Sequence, residues 1–289
     1  MAEDEERRKQ FVESVVRFII HFNFDGFDIN WEYPTERYFF ITNDCTHTYY
    51  NGVIFSGGIV DDRENYSLLL EMLHKELSKR GRILTAAVPA NLYTINKAYE
   101  IEEMCNNLDL LNIMGYDMQQ RDKTSVHAPL KRENSDPSKK ETLETVVQHL
   151  LKSGCPKEKL VLGIPAFGRS YTLYSSYSTG LGALVKGVGK AGNFSQSEGF
   201  LGYNEICEEV RSDNGWKITY LRNSAAKYAS KGDQWISFDD VDTVQQKVRF
   251  VKEKNLAGIM LWSIDTDDFH GDCFGESYPL LSAINRELY

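Results

Sequence analysis

The ten residues DGFDINWEYP, Asp25 to Pro34, decide the fold. Asp28, Asn30 and Glu32 stand two apart, and Phe27, Ile29 and Trp31 alternate with them. Side chains of a β-strand point alternately to its two faces. As a strand, the segment sets two acids and an amide on one side and large apolar residues on the other. The alternative is a helix start, with aspartates as caps and the aromatic residues in a core, but a two-residue alternation fits a helix badly. A row of carboxylates also does not suit the core of a sandwich. It suits the inside of an α/β barrel, whose functional residues sit at the carboxyl ends of the strands. Glu32, last in the row, is then expected at the barrel mouth.

Four further apolar runs extend the pattern outward: ILTAAVP (83–89), LDLLNIMGYD (108–117), KLVLGIP (159–165) and AGIMLWSID (257–265). Such runs are expected of parallel strands buried on both faces. Helical patterns fall between them at 63–80, 142–153 and 243–255, and FVESVVRFIIHFNF reads as an amphipathic helix leading into the first strand. Strands alternating with helices predict a parallel α/β sheet.

The chain has 289 residues and a net charge of −9, with a pI near 5.3. That charge argues against nucleic acid as a partner and is compatible with a neutral polymer. No apolar run approaches membrane-spanning length. The opening MAEDEERRKQ lacks the apolar core of a secretory signal, so none is expected in this chain. The five cysteines lack the spacing with histidine that suggests zinc, and neither a metal nor an organic cofactor is expected. Two Asn-x-Ser triplets begin at Asn65 and Asn193; on sequence alone they mean little without export.

Taken in order, these motifs resemble glycoside hydrolase family 18, the chitinases and chitinase-like proteins. DGFDINWE resembles the DxxDxDxE signature, with Asn30 where the pattern has Asp. LNIMGYDMQ resembles the sixth-strand motif, GIPAFGRSYTL the seventh strand and its exit, and DQWISFDDVDTVQQKVRF with GIMLWSIDTDDF the last helix and strand. The resemblance implies a (β/α)8 TIM barrel of the chitinase type. Because the signature belongs to the fourth strand, the chain is expected to lack the first three strand–helix units. The expected organisation is a partial barrel at 1–168, a small α+β insertion domain at 169–237, and the last helix and strand at 238–289. Five strands cannot close a barrel and leave two open edges, so this chain alone is expected to fold poorly. Residues Tyr38 to Ser56, including Cys45, have no counterpart in the family pattern; they are read as a retained intron or as a substrate-gripping loop. The resemblance pairs Cys207 with Cys273, against the alternative of two free thiols.

The resemblance also implies hydrolysis of β-1,4-linked N-acetylglucosamine polymers by a retaining, substrate-assisted route, in which the substrate's acetamide oxygen attacks the anomeric carbon. Glu32 takes the place of the general acid. Asp28, Asn30 and Tyr116 complete the catalytic set, and Tyr33, Met114, Asp117, Tyr228 and Trp262 are substrate-binding residues. Trp262 is expected to form the floor beneath the sugar. An aromatic residue expected after the sixth-strand motif is not evident in YDMQQRDK, which puts one sugar subsite in doubt. Asn30 can accept a hydrogen bond but cannot carry charge, so a weakened enzyme or a chitinase-like lectin is expected. Whether Asn30 is native, an error or a trapping substitution stays open here, as does an incomplete gene product without function. The expected partner is chitin or a chito-oligosaccharide, with no nucleic acid or membrane, and a monomeric chain. The full-length protein is expected outside the cell.

Overall fold

The charged opening residues begin a helix. In the computed structural model, α1 spans Glu5–His21, and the Asp4 side chain caps it by accepting from the Arg7 N–H at 2.8 Å. Glu5 and Glu6 lie in its first turn, where negative charge meets the positive end of the helix dipole. The structure describes residues 1–35, 58–138, 141–211 and 215–289. The segment Tyr38 to Ser56, with Cys45, lies outside the described residues.

After α1 come β1 (Gly26–Ile29), α2 (Asp62–Ser78), β2 (Ile83–Pro89), α3 (Leu92–Ala98), α4 (Ile101–Asn107), β3 (Leu110–Met114), α5 (Leu143–Lys152) and β4 (Leu160–Pro165). The chain then builds β5 (Phe167–Leu173), β6 (Val185–Val188), β7 (Phe200–Gly202), α6 (Tyr203–Arg211), β8 (Lys217–Leu221), β9 (Ala226–Lys231) and β10 (Gln234–Phe238). It ends with α7 (Val241–Lys254), β11 (Gly258–Trp262) and α8 (Pro279–Leu288).

Two sheets result. The five strands read from the apolar runs form one parallel sheet in the order β1-β2-β3-β4-β11. Among the described residues β1 and β11 are its edges. The other sheet is antiparallel, in the order β6-β5-β10-β9-β8, with β7 also paired to β5. It is built by the chain from β5 to β10, the stretch in which the insertion domain at 169–237 was expected.

Packing follows the pleat. Phe27 and Ile29 of β1, Leu84, Ala86 and Val88 of β2, Leu111 and Ile113 of β3, and Leu160 and Leu162 of β4 join one apolar cluster. The helices supply its other half, through Val12, Val15, Val16 and Ile19 of α1 and Leu69, Leu70, Leu73 and Leu77 of α2. One face of the sheet is thereby sealed by helices. The opposite face carries Asp28, Thr85, Asn112 and Met114, the residues between those in the cluster.

Several elements differ from expectation. The first strand stops at Ile29, so Asn30 and Glu32 lie just past it; Pro34, lacking an N–H, cannot extend a ladder there. Helices α3 and α4, seven residues each, are too short to declare a period in the sequence. The third segment of the expected organisation also gains α8, which has proline at its start, a favoured place for it.

Two disulfides tie the structure together. Cys207 and Cys273 are joined as the resemblance implied. A second bond, Cys105 to Cys155, fastens α4 to the turn after α5. Each closes a long loop, with separations of 50 and 66 residues, and loop entropy alone assigns about 4 kcal/mol to each. The double substitution of Cys207 and Cys273 to serine is expected to lower unfolding stability by roughly 2–5 kcal/mol in urea titrations. An unchanged midpoint would rule out this bond.

Candidate active site

Parallel strands bring all their carboxyl ends to one side of the sheet. Asp28 pairs in register with Thr85, and their side chains share the inner face. The Thr85 hydroxyl donates a short hydrogen bond to Asp28 Oδ1. Asn112 Nδ2 donates to the same oxygen at 3.3 Å, and Asn30 Nδ2 donates to Oδ2 at 3.0 Å. Asp28 is thus held by three strands' worth of donors. Further toward the carboxyl ends stand Glu32 after β1, Met114 opposite Pro89, and Trp262 opposite Pro165. Trp262 is 54% exposed, so it is not a core residue but an aromatic face presented at the mouth. The two non-proline cis peptides of the described residues, Glu32–Tyr33 and Trp262–Ser263, both fall at this end.

The loop after β3 carries Tyr116 and Asp117. Tyr116 is half-buried and meets the Phe167 ring edge-on at 5.4 Å. Asp117 takes a left-handed conformation, φ 62°, which aspartate tolerates better than most residues. Arg169 of β5 grips its carboxylate with two bonds, Nε to Oδ1 at 2.6 Å and a terminal nitrogen to Oδ2 at 2.8 Å. The Arg169 guanidinium also lies over the Phe167 and Phe200 rings, at 5.1 and 5.4 Å. This fork fastens the insertion domain to the site loop.

Arg169 pairs with Ser237, and Ser237 with Tyr228, across neighbouring antiparallel strands. Directly opposed residues share a face, so Tyr228 stands on the same side of the insertion sheet as Arg169. It is half-buried and stacks on Trp235 at 5.1 Å. No described hydrogen bond or ring contact joins it to Glu32, Tyr116 or Trp262. Tyr33 is half-buried and packs partly against the helical cluster. Of the nine residues expected at the site, Asp28, Asn30, Glu32, Met114, Tyr116, Asp117 and Trp262 gather at the carboxyl ends of the parallel sheet, with Tyr33 beside them and Tyr228 on the adjoining wall.

Residues 1–267 match the family model described as glycosyl hydrolases family 18. The chain belongs to this family. It is 35% identical over 298 residues to human chitinase-3-like protein 2, covering all of this chain and 70% of that protein. It spans between 12% and 59% of several other curated relatives, from fly, moth and mouse. The structure of the Group IV chitinase of Ostrinia furnacalis superposes with a TM-score of 0.89 at 34% identity, covering all of this chain and 75% of that one. Human YKL-39, described as a pseudo-chitinase with retained chitooligosaccharide binding, gives 0.86 at 33% identity, with the same coverage. A chitinase and a protein described as a pseudo-chitinase are thus both similar to this chain in fold.

Electrostatics bear unequally on the titratable groups gathered here. No described hydrogen bond holds the Glu32 carboxyl. It is exposed by surface area, yet protein crowds it on the sheet side; that burial, and then the Asp117 charge, raise its pKa above the ordinary 4.5. Burial, then Asp117 and Glu32, likewise push the Tyr116 hydroxyl upward and keep it a donor. The only described grouping close enough to hold a metal is Cys207, Asp268 and Cys273, and its two sulfurs are already joined in the disulfide.

Four residues here escaped the sequence reading. Thr85 and Asn112 sit on the inner face of strands whose period-two pattern was legible, so their direction could have been read. Arg169 lies within GIPAFGRSYTL, but its partner Asp117 is 52 residues away. His127 is 1% exposed, lies 5.2 Å from the Phe167 ring, and neither ring nitrogen has a hydrogen-bond partner of ordinary geometry. Burial, and then the Arg169 and Lys247 charges, hold its pKa well below 6.5.

Replacing Asp117 with asparagine removes the charge that raises Glu32. A carboxyl NMR titration should then find the Glu32 midpoint at lower pH than in the unmodified chain; an unmoved or higher midpoint contradicts the coupling. For His127 the sign is opposite to that of a paired histidine. Below pH 6.5 the unfolded chain takes up a proton that the folded chain refuses, so stability falls by up to about 1.4 kcal/mol per pH unit. The His127→Phe variant should lose stability less steeply between pH 7 and 5, and an equal slope would discard this reading.

Proposed function

We propose that this chain binds chito-oligosaccharides across the mouth of its parallel sheet and hydrolyses their β-1,4 linkages slowly. The observation that carries the reading is Glu32, a carboxyl at the end of the inner row with its pKa raised and, among the described residues, no hydrogen bond to hold it. A general acid must carry a proton at working pH and be free to donate it. Trp262 offers a flat apolar face on which a pyranose ring stacks, and Tyr116 can donate to an acetamide oxygen from beside Glu32. In the substrate-assisted route the acetamide carbonyl of N-acetylglucosamine attacks the anomeric carbon as Glu32 gives its proton to the departing oxygen. A water, deprotonated by Glu32 in the second step, then opens the oxazolinium ring.

Asn30 sets the rate. Its amide nitrogen is committed to Asp28, so its amide oxygen faces the other way and can accept the acetamide N–H. It therefore orients the nucleophile but supplies no negative charge to the oxazolinium cation. Loss of one such preorganised electrostatic partner costs roughly 10²–10³ in rate. A second reading, a lectin that holds the sugar uncut, is favoured by the same Asn30–Asp28 bond, because it satisfies the site in its neutral form. The likeness to human YKL-39, described as a pseudo-chitinase with retained chitooligosaccharide binding, supports this second reading.

The Asn30→Asp variant separates the two. On a fluorogenic chito-oligosaccharide its turnover should rise by roughly 10²–10³, with binding little changed. Binding without turnover in both versions would leave the lectin reading in its place. The full-length protein is proposed to act outside the cell, where two disulfides persist.

A further inference from the structure

The two Asn-x-Ser triplets share a sequence pattern, but the fold gives them opposite surroundings. Asn65 lies in the first turn of α2 and is 9% exposed, next to the wholly buried Tyr66. Its side-chain nitrogen donates to Asp62 Oδ1 at 3.2 Å. A sugar on that nitrogen would break the bond and force α2 away from the sheet.

Asn193 lies in the loop between β6 and β7 and is exposed, and among the described residues nothing hydrogen-bonds its side-chain amide. The loop under it is built. Glu205 of α6, 5% exposed, accepts the backbone N–H groups of Phe194 at 2.7 Å and Ser195 at 3.0 Å through Oε1. Its Oε2 accepts the Gly202 N–H at 3.0 Å. Gly192 must be glycine for this approach, since a Cβ there would stand 2.1 Å from Glu205 Oε1. The buried carboxylate thus pins the backbone of the triplet from below and leaves the Asn193 side chain to solvent. The neighbouring Phe194 is 69% exposed, so among the described residues nothing covers its side chain.

We propose that Asn193 is an N-glycosylation site of this protein and that Asn65 is not. The two disulfides place the folded chain in an oxidising compartment, where N-glycan transfer takes place. The donor is a lipid-linked oligosaccharide pyrophosphate. A bond forms between Asn193 Nδ2 and the anomeric carbon of the sugar, the bond from that carbon to the pyrophosphate oxygen breaks, and the amide proton passes to a base of the transferase. The lipid pyrophosphate leaves, and nothing is oxidised or reduced. Glycan attachment at Asn193, in the loop between β6 and β7, does not depend on hydrolysis at the parallel sheet.

The test expresses the full chain behind a secretion leader in an insect cell line. Protein from the medium and from the secretory lumen is treated with an amidase that cuts N-glycans in heavy-oxygen water, and its peptides are read by mass spectrometry. The expected result is labelled aspartate at position 193 in both pools and unlabelled Asn65 in the medium. Asn193→Gln, and separately Ser195→Ala, should each abolish the mobility shift that the amidase removes. An unlabelled position 193 in chain that has reached the lumen overturns the proposal, as does a glycan on Asn65 in the secreted chain.

Discussion

The Asp28 carboxylate, turned inward from β1 and held by donors from β2 and β3, is the constraint on which the site depends. A charged oxygen facing the inside of a sheet is costly unless it is hydrogen-bonded. Thr85, Asn112 and Asn30 meet that demand together. Once Asp28 faces inward, the two-residue period of the strand fixes everything around it. Phe27 and Ile29 must enter the helical cluster, and Asn30 and Glu32 follow on the segment that leaves the strand. A slip of one residue would send the acid into the apolar layer.

The antiparallel insertion adds the second wall, and its attachment is also electrostatic. Arg169 grips Asp117 from β5, so the loop after β3 and the insertion sheet are positioned by one bidentate pair. Deeper in, Lys247 of α7 bonds both oxygens of Asp239 at 2.7 and 2.6 Å in a fully buried pair. That pair joins the end of the antiparallel sheet to α7, the helix that leads into β11. Burial raises the pKa of Asp239 and lowers that of Lys247, while each is drawn back by its partner. Removing either partner would strand a buried charge, a loss that commonly reaches 3–5 kcal/mol. The candidate site is therefore framed by elements of both sheets.

Much of this was legible in the sequence. The parallel strands announce themselves as short apolar runs, and the inner row as alternation around Ile29. What could not be read has a physical cause in each case. Helices α3 and α4 are set by packing against α2 and β2, not by a period of their own. The Cys105–Cys155 bond depends on where α4 and the turn after α5 meet, which spacing does not state. Arg169 and Asp117 are both polar residues near strand ends, and only the fold shows that they are partners. His127, in a stretch without periodicity, gives no sign that it is buried. Conversely, the pattern suggested a first strand reaching Trp31, whereas the ladder ends at Ile29 and the acid stands on the segment that leaves it.

The central claim is that the inner row and Trp262 together form a sugar-binding mouth. Calorimetric titration of the intact chain with chitotetraose tests it directly. The account predicts saturable binding at one site, lost in Trp262→Ala and retained in Glu32→Gln. No measurable binding, or binding unaffected by Trp262→Ala, would contradict it.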